Sequence, residues 1–192
     1  MNDSQVRVIT PPATEPVTLA EAKVDLRVDH TDDDALITGL IVAARAEAEL
    51  LSRRALINRT LEMSLCGWPS TGKIYLPYPP VVSVTSVTYY DINNVLQTMT
   101  AGDYILIADV EPGVVALGYN KTWPTASLRE VSPVRVRWVA GYGAEASDVP
   151  NRYQVLIRSL VAVRYESRDE LAPAQERQLA NIRAALQMEW GW

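Results

Sequence analysis

Residues 36–65 read LITGLIVAARAEAELLSRRALINRTLEMSL, and the spacing of the apolar positions changes inside this stretch. Ile37, Leu40, Ile41, Ala44, Ala48 and Leu51 recur at helical spacing. Leu36, Ala43 and Leu50 widen that stripe, which predicts a helix covered on two sides and closed by Arg53-Arg54, where the helix dipole favours positive charge. From Thr60 the period falls to two. Leu61, Met63 and Leu65 alternate with Thr60, Glu62 and Ser64, as in a half-buried strand. A helical zone therefore gives way to a strand zone near residue 55.

Upstream, Thr18-Leu19-Ala20-Glu21 fits a capping box, which predicts a short helix to about Val28. Asp32-Asp33-Asp34 then supplies a cap and negative charge at the start of the next helix. The triplet lacks the alternating oxygens, central Gly and terminal Glu of a calcium loop, so it reads as a cap and not a metal site.

Downstream, short strands are expected at Lys73–Leu76, Val82–Tyr90, Val95–Thr98, Tyr104–Ile107 and Val114–Leu117, with a last one around Val134, Val136 and Trp138. Ile92-Asn93-Asn94 reads as a hairpin turn. Gly141-Tyr142-Gly143 reads as a plain turn, without the length and Lys-Ser/Thr of a phosphate loop. Arg135 and Arg137 share one face of the last strand, either solvated or touching an acidic neighbour or phosphate. The tyrosines and tryptophans of this zone read as core or cross-strand pairs.

Helical spacing returns after Asp148-Val149-Pro150, with Tyr153, Leu156, Ile157, Leu160 and Val161 on one side. Arg164 falls inside that apolar arc, which calls for a carboxylate partner or an outward-bent side chain. Pro173 opens a final helix in which Leu179, Ile182, Leu186 and Trp190 form a narrow stripe suited to one packing partner. Trp190 and Trp192 close the sequence, and such indoles either fold back on their own core or dock on another protein.

The expected fold is α+β: a helical core from N- and C-terminal helices (1–54 and 147–192) with an inserted antiparallel β block (55–146). Composition narrows the function. The 192 residues include one histidine (His30), one cysteine (Cys66) and no phenylalanine. One of each leaves no internal disulfide and no Cys/His zinc set, and a catalytic triad would have to use His30, which lies in a solvated acidic turn. Cys66 reads as a small, half-buried apolar side chain. No run of about 18 apolar residues suggests a membrane span, and the first residues do not read as a signal peptide. The net charge of −5 is spread along the chain without a basic patch, which argues against a sequence-reading DNA-binding module. A carboxylate hydrolase would need paired acids, and Glu62, Asp91 and Asp103 show no pairing in their strand and turn contexts. No catalytic residue, metal ligand or cofactor is expected.

The motifs taken in order resemble tailed-phage head–tail connector (adaptor) proteins. They are Glu15-Pro16-Val17-Thr18-Leu19-Ala20-Glu21-Ala22-Lys23, Asp33-Asp34-Ala35-Leu36-Ile37 with Ala43-Ala44-Arg45, and Leu76-Pro77-Tyr78-Pro79-Pro80-Val81 followed by Ser83–Tyr89. Val139-Ala140-Gly141-Tyr142-Gly143 ahead of Val149-Pro150, Ile157-Arg158 and Tyr165-Glu166-Ser167-Arg168 complete the set. The resemblance implies a non-enzymatic virion protein of phage, prophage or gene transfer particles. About a dozen copies would form a ring below the portal protein, continue the DNA channel without gripping a sequence, and present a platform to a stopper or tail protein. Partners are thus further copies of the chain, portal and stopper, with no membrane; another neck or tail ring component is the alternative. Candidate portal or subunit contacts are Leu179, Ile182, Leu186, Trp190 and Trp192, together with Arg164, Arg135 and Arg137.

Overall fold

The structure, a computed structural model, describes residues 5–167 and 173–187. Among these described residues are four α-helices and eight strands in two antiparallel sheets, so the α+β expectation is met. The chain divides into two compact units, one of residues 13–57 and 142–192 and the other of residues 1–12 and 58–141.

The first unit is helical: α1 (Leu19–Leu26), α2 (Asp34–Ser52), α3 (Asn151–Glu166) and α4 (Pro173–Gln187). The capping box at α1 is present. The Glu21 amide donates to Thr18 Oγ1 at 3.2 Å, and the Thr18 amide donates back to Glu21 Oε2 at 2.8 Å. The Thr18 amide and the Thr18 hydroxyl, which donates to Glu21 Oε2 at 2.7 Å, outweigh partial burial and lower the Glu21 carboxyl below its ordinary value. The Asp triplet works differently from expectation. Asp33 occupies the N-cap position of α2 but makes no side-chain cap bond. Its carboxylate accepts instead from Tyr165 Oη at 2.5 Å, and Asp34 pairs with Lys23 Nζ at 2.6 Å. The triplet thereby ties α2 to α3 and to α1, because its neighbours in space supply better donors than the helix end does.

The core of this unit gathers Ile37, Ile41, Ala44 and Ala48 of α2, Tyr153, Ile157, Leu160 and Val161 of α3, and Leu179, Ile182 and Leu186 of α4. Among the described residues only one side of α2 is covered, contrary to the sequence reading. Leu36 and Leu50 are exposed, at 44% and 69%. A buried polar network joins the segment before α1 to α2. Arg45 Nε donates to Glu15 Oε2 at 2.6 Å, and Arg45 Nη1 donates to Glu49 Oε2 at 2.7 Å. Glu49 Oε1 then accepts the Leu56 amide at 3.0 Å. Burial opposes the charge on Arg45, but its two carboxylates outweigh that and raise its pKa further. Glu15 and Arg45, from two separate motifs of the sequence, are thus one interaction.

Gly143 follows the β unit where the chain re-enters the helices. A Cβ there would lie 2.0 Å from Asp148 Oδ2, so the turn accepts no side chain.

The second unit holds a five-stranded sheet in the order β1-β2-β8-β4-β5: β1 (Gln5–Thr10), β2 (Arg59–Leu65), β8 (Val134–Ala140), β4 (Val81–Tyr90) and β5 (Leu96–Thr98). A three-stranded sheet has the order β3-β7-β6: β3 (Lys73–Leu76), β7 (Gly113–Leu117) and β6 (Tyr104–Ile107). Sequence reading placed the strands from β2 onward to within a residue or two but assigned no element to residues 5–10. Strand β1 pairs with β2 and turns β2 from an edge into an interior strand. In the five-stranded sheet Leu61, Met63, Val87, Val136 and Trp138 are buried, and the second sheet buries Ile74, Leu76, Val114 and Val115. Cys66 is exposed, correcting the half-buried reading.

Candidate assembly surfaces

The acids weighed as catalytic groups and, Trp190 and Trp192 apart, the residues weighed as contacts have defined surroundings. In the Arg59–Leu65 strand, alternation puts Glu62 on the polar face of the sheet, yet Glu62 is only 3% exposed. Register explains this. Glu62 stands opposite Arg7 on one side and Arg137 on the other. Arg7 donates to Glu62 Oε1 through Nε (3.1 Å) and Nη2 (2.5 Å), and Arg137 donates to Oε2 through Nε (3.1 Å) and Nη2 (2.7 Å). Arg135 Nη1 lies 3.9 Å from Oε1. Burial pushes the Glu62 carboxyl up, but hydrogen bonds from Arg137 and Arg7 outweigh burial and hold it below the ordinary carboxylate range.

The arginines remain partly open to solvent, with side-chain exposures of 58% for Arg7, 40% for Arg137 and 28% for Arg135. Arg129 extends the row, its guanidinium 3.8 Å from the centre of the Tyr90 ring, with Arg135 at 5.0 Å from the same ring. Sequence reading singled out Arg135 and Arg137. It missed Arg7, Arg129 and the clamping role of Glu62.

The other carboxylates weighed for hydrolysis are engaged separately. Asp91 Oδ1 accepts the Asn93 and Val95 amides at 2.9 and 3.0 Å, forming the hairpin turn. Asp103 pairs with Lys121 at 2.7 Å. Neither Asp91 nor Asp103 joins Glu62 in a paired-acid arrangement. A cavity of about 180 Å³ beside Cys66 is lined by Met63, Leu65, Pro69, Ile74 and Tyr75, with Lys73 the charged group. Among the described residues no group of three or more His, Cys, Asp or Glu side chains is placed to hold a metal ion, and no helix is long and apolar enough to cross a membrane.

In the helical unit Arg164 has the carboxylate partner its position required. Its Nη2 donates to Glu47 Oε2, and Arg183 Nε donates to Glu47 Oε1 at 2.7 Å. Glu47, on α2, therefore holds both α3 and α4. The stripe on α4 has its partner within the same unit: Leu179, Ile182 and Leu186 are 4%, 7% and 1% exposed in the shared core. Their side chains are committed to the fold and are not an open docking seam. Trp190 and Trp192 lie outside the described residues.

The class this architecture defines is an α+β protein in which a helical core is interrupted in sequence by a β unit with charged surfaces. Comparison with known proteins finds a described family to which part of the chain is similar. Residues 16–106 match the family model described as Phage gp6-like head-tail connector protein, and the resemblance drawn from the sequence motifs is borne out. The neck of an empty gene transfer agent particle, computed with C6 symmetry, contains a chain 23% identical with a TM-score of 0.79, each chain covered over 95% of its length. A chain in the virion of a native gene transfer agent particle is 24% identical with a TM-score of 0.78, again with 95% of each chain covered. The neck of the native particle, computed with C12 symmetry, has one 24% identical at TM-score 0.72, covering 95% of this chain and 94% of that one. At such identities these structures show a shared fold over nearly the whole chain. No curated protein matches significantly.

Proposed function

We propose that this chain is a structural head–tail connector, assembled as a ring of about twelve copies at the neck of a virion-like particle, as in the C12 neck whose fold it shares. The observation that carries the reading is agreement between a connector-family match over residues 16–106 and a fold match across 95% of the chain to neck components. The ring continues the DNA channel between the portal and a stopper or tail protein and performs no chemistry. An overall charge of −5 suits a passage that must let DNA slide, because long-lived phosphate contacts need clustered exposed cations. The segment from Pro173 onward contacts the portal. Leu179, Ile182 and Leu186 contribute by fixing α4 on its core and leaving its outer face for docking, and Trp190 and Trp192 are the further anchors of this reading.

The test is removal of the chain from a strain that produces the particles. Filled heads lacking tails, restored by supplying the chain, are expected, together with a ring density next to the portal in reconstructions. Normally tailed particles without the chain, or a ring seated on the tail tube away from the portal, would overturn the reading.

A further inference from the structure

Charge is divided unevenly between the two units. The helical unit carries sixteen Asp and Glu against eleven Lys and Arg, which is the full −5, while the β unit has seven of each and is neutral. Within that neutral unit the polar face of the five-stranded sheet is basic. Residues directly opposite one another across β1, β2, β8 and β4 place Arg7, Glu62 and Arg137 in one row and Ser64, Arg135 and Thr88 in the next. The ion pairs of this face join three arginines to one carboxylate, Glu62. Each Glu62 oxygen takes the Nε and Nη2 edge of a single guanidinium, so Arg7 and Arg137 are held in place with their remaining N–H groups pointing away from it. Such a clamp removes side-chain entropy before any partner arrives.

In the helical unit most carboxylates are already engaged. Glu15 and Glu49 hold Arg45, Glu21 caps α1, Asp25 pairs with Arg158, and Glu47 pairs with Arg164 and Arg183. The turn between α1 and α2 presents Asp29 and Asp32, both exposed, while Lys23, which donates to the His30 carbonyl between them at 2.6 Å, is paired with Asp34. A closed ring of identical copies needs one face of each subunit to fit a different face of the next. A basic sheet face and an acidic helix turn on the same chain meet that requirement.

We infer that the Arg7–Arg135–Arg137 face of the β unit receives the Asp29–Asp32 turn of the neighbouring copy in the ring. This rests on the connector reading and adds to it which surfaces join the subunits. The contact is electrostatic and preorganised on the arginine side, so it gives orientation and salt sensitivity to assembly.

Two measurements on purified particles test it. In the first, Arg135→Gln with Arg137→Gln, Asp29→Asn with Asp32→Asn, and all four together are compared for retention of the chain as salt is raised. Each pair should lower the salt concentration that releases half of the chain by about twofold, and the combined variant should fall no further, because both pairs remove the same contact. Additive losses, or no loss from either pair, overturn the inference. Loss from the arginine pair alone, confined to DNA-filled heads, also overturns it and assigns the face to phosphate.

In the second, Arg137→Cys and Asp32→Cys are placed together in a Cys66→Ser chain and the particles are oxidised. A ladder of disulfide-linked multimers is expected, with none from either single cysteine. Particles that contain the chain but give no ladder refute the contact while leaving the connector reading intact. Wild-type particles that lack the chain altogether refute the connector reading itself.

Discussion

Truncation of Leu186 to alanine decides whether α4 belongs to the fold or waits for a partner. Leu186 is 1% exposed and lies in the core shared by α2, α3 and α4. Three buried side chains and the Arg183–Glu47 pair fasten helix α4, and Leu186 is the most deeply buried of the three. A buried Leu→Ala change costs about 2–5 kcal/mol, and the lower half of that range suits a surface-lying helix that can settle into the gap. With a urea dependence of about 2 kcal/mol per molar, Leu186→Ala should lower the unfolding midpoint by roughly 1–1.75 M. Leu50→Ala is the control. It lies on α2 at 69% exposure and should move the midpoint by no more than about 0.25 M. Far-UV circular dichroism at 222 nm weights the helical unit and is the appropriate readout. Equal shifts for the two variants, or a Leu186→Ala midpoint within 0.3 M of wild type, would refute the packing of α4 and restore its stripe as an open docking seam.

Three further outcomes follow from individual contacts. Because the Glu62 carboxyl is lowered in the fold, its stabilisation is complete above its ordinary value of 4.5 and fades as pH falls through the folded value. Urea midpoints between pH 6 and 3 should therefore drop more for wild type than for Glu62→Gln. Gly143→Ala drives a methyl into the Asp148 carboxylate and should cost about 1–3 kcal/mol, whereas Gly39→Ala, in open space on α2, should gain up to about 1 kcal/mol; thermal melts compare them. Thr18→Ala removes the α1 capping box and should cost about 0.5–2 kcal/mol by the same melts.

The elements were legible because each depends on a local period or a local stop signal. The change of spacing between Leu51 and Leu61, the Thr18 capping box and the turn at Asn93-Asn94 are all written within a few residues, and the structure follows them. The same local reading misjudged α2. Leu36 and Leu50 look no different from core leucines until α3 and α4 are in place and prove to cover only the opposite side. Conversely, Leu179, Ile182 and Leu186 were read as a seam for an outside partner, because a three-residue stripe does not say which chain it meets.

Glu62 shows why the assembly surface was harder still. Alternation with Leu61 and Met63 assigns it to a solvated face, and nothing within β2 contradicts that. What buries it is Arg7, fifty-five residues before it, and Arg137, seventy-five after it. Both are delivered by strand pairing in a sheet whose order does not follow the chain. The consequence runs past Glu62 itself. A carboxylate shared by two guanidiniums leaves the face with a fixed positive excess, while the acids that bring the β unit to neutrality lie elsewhere in that unit. Net charge per residue window averages this to nothing, which is why the sequence shows no basic patch. Only the register of β1, β2 and β8 gathers the arginines onto one surface, and that register makes the sign of the face testable by neutralising two side chains at a time.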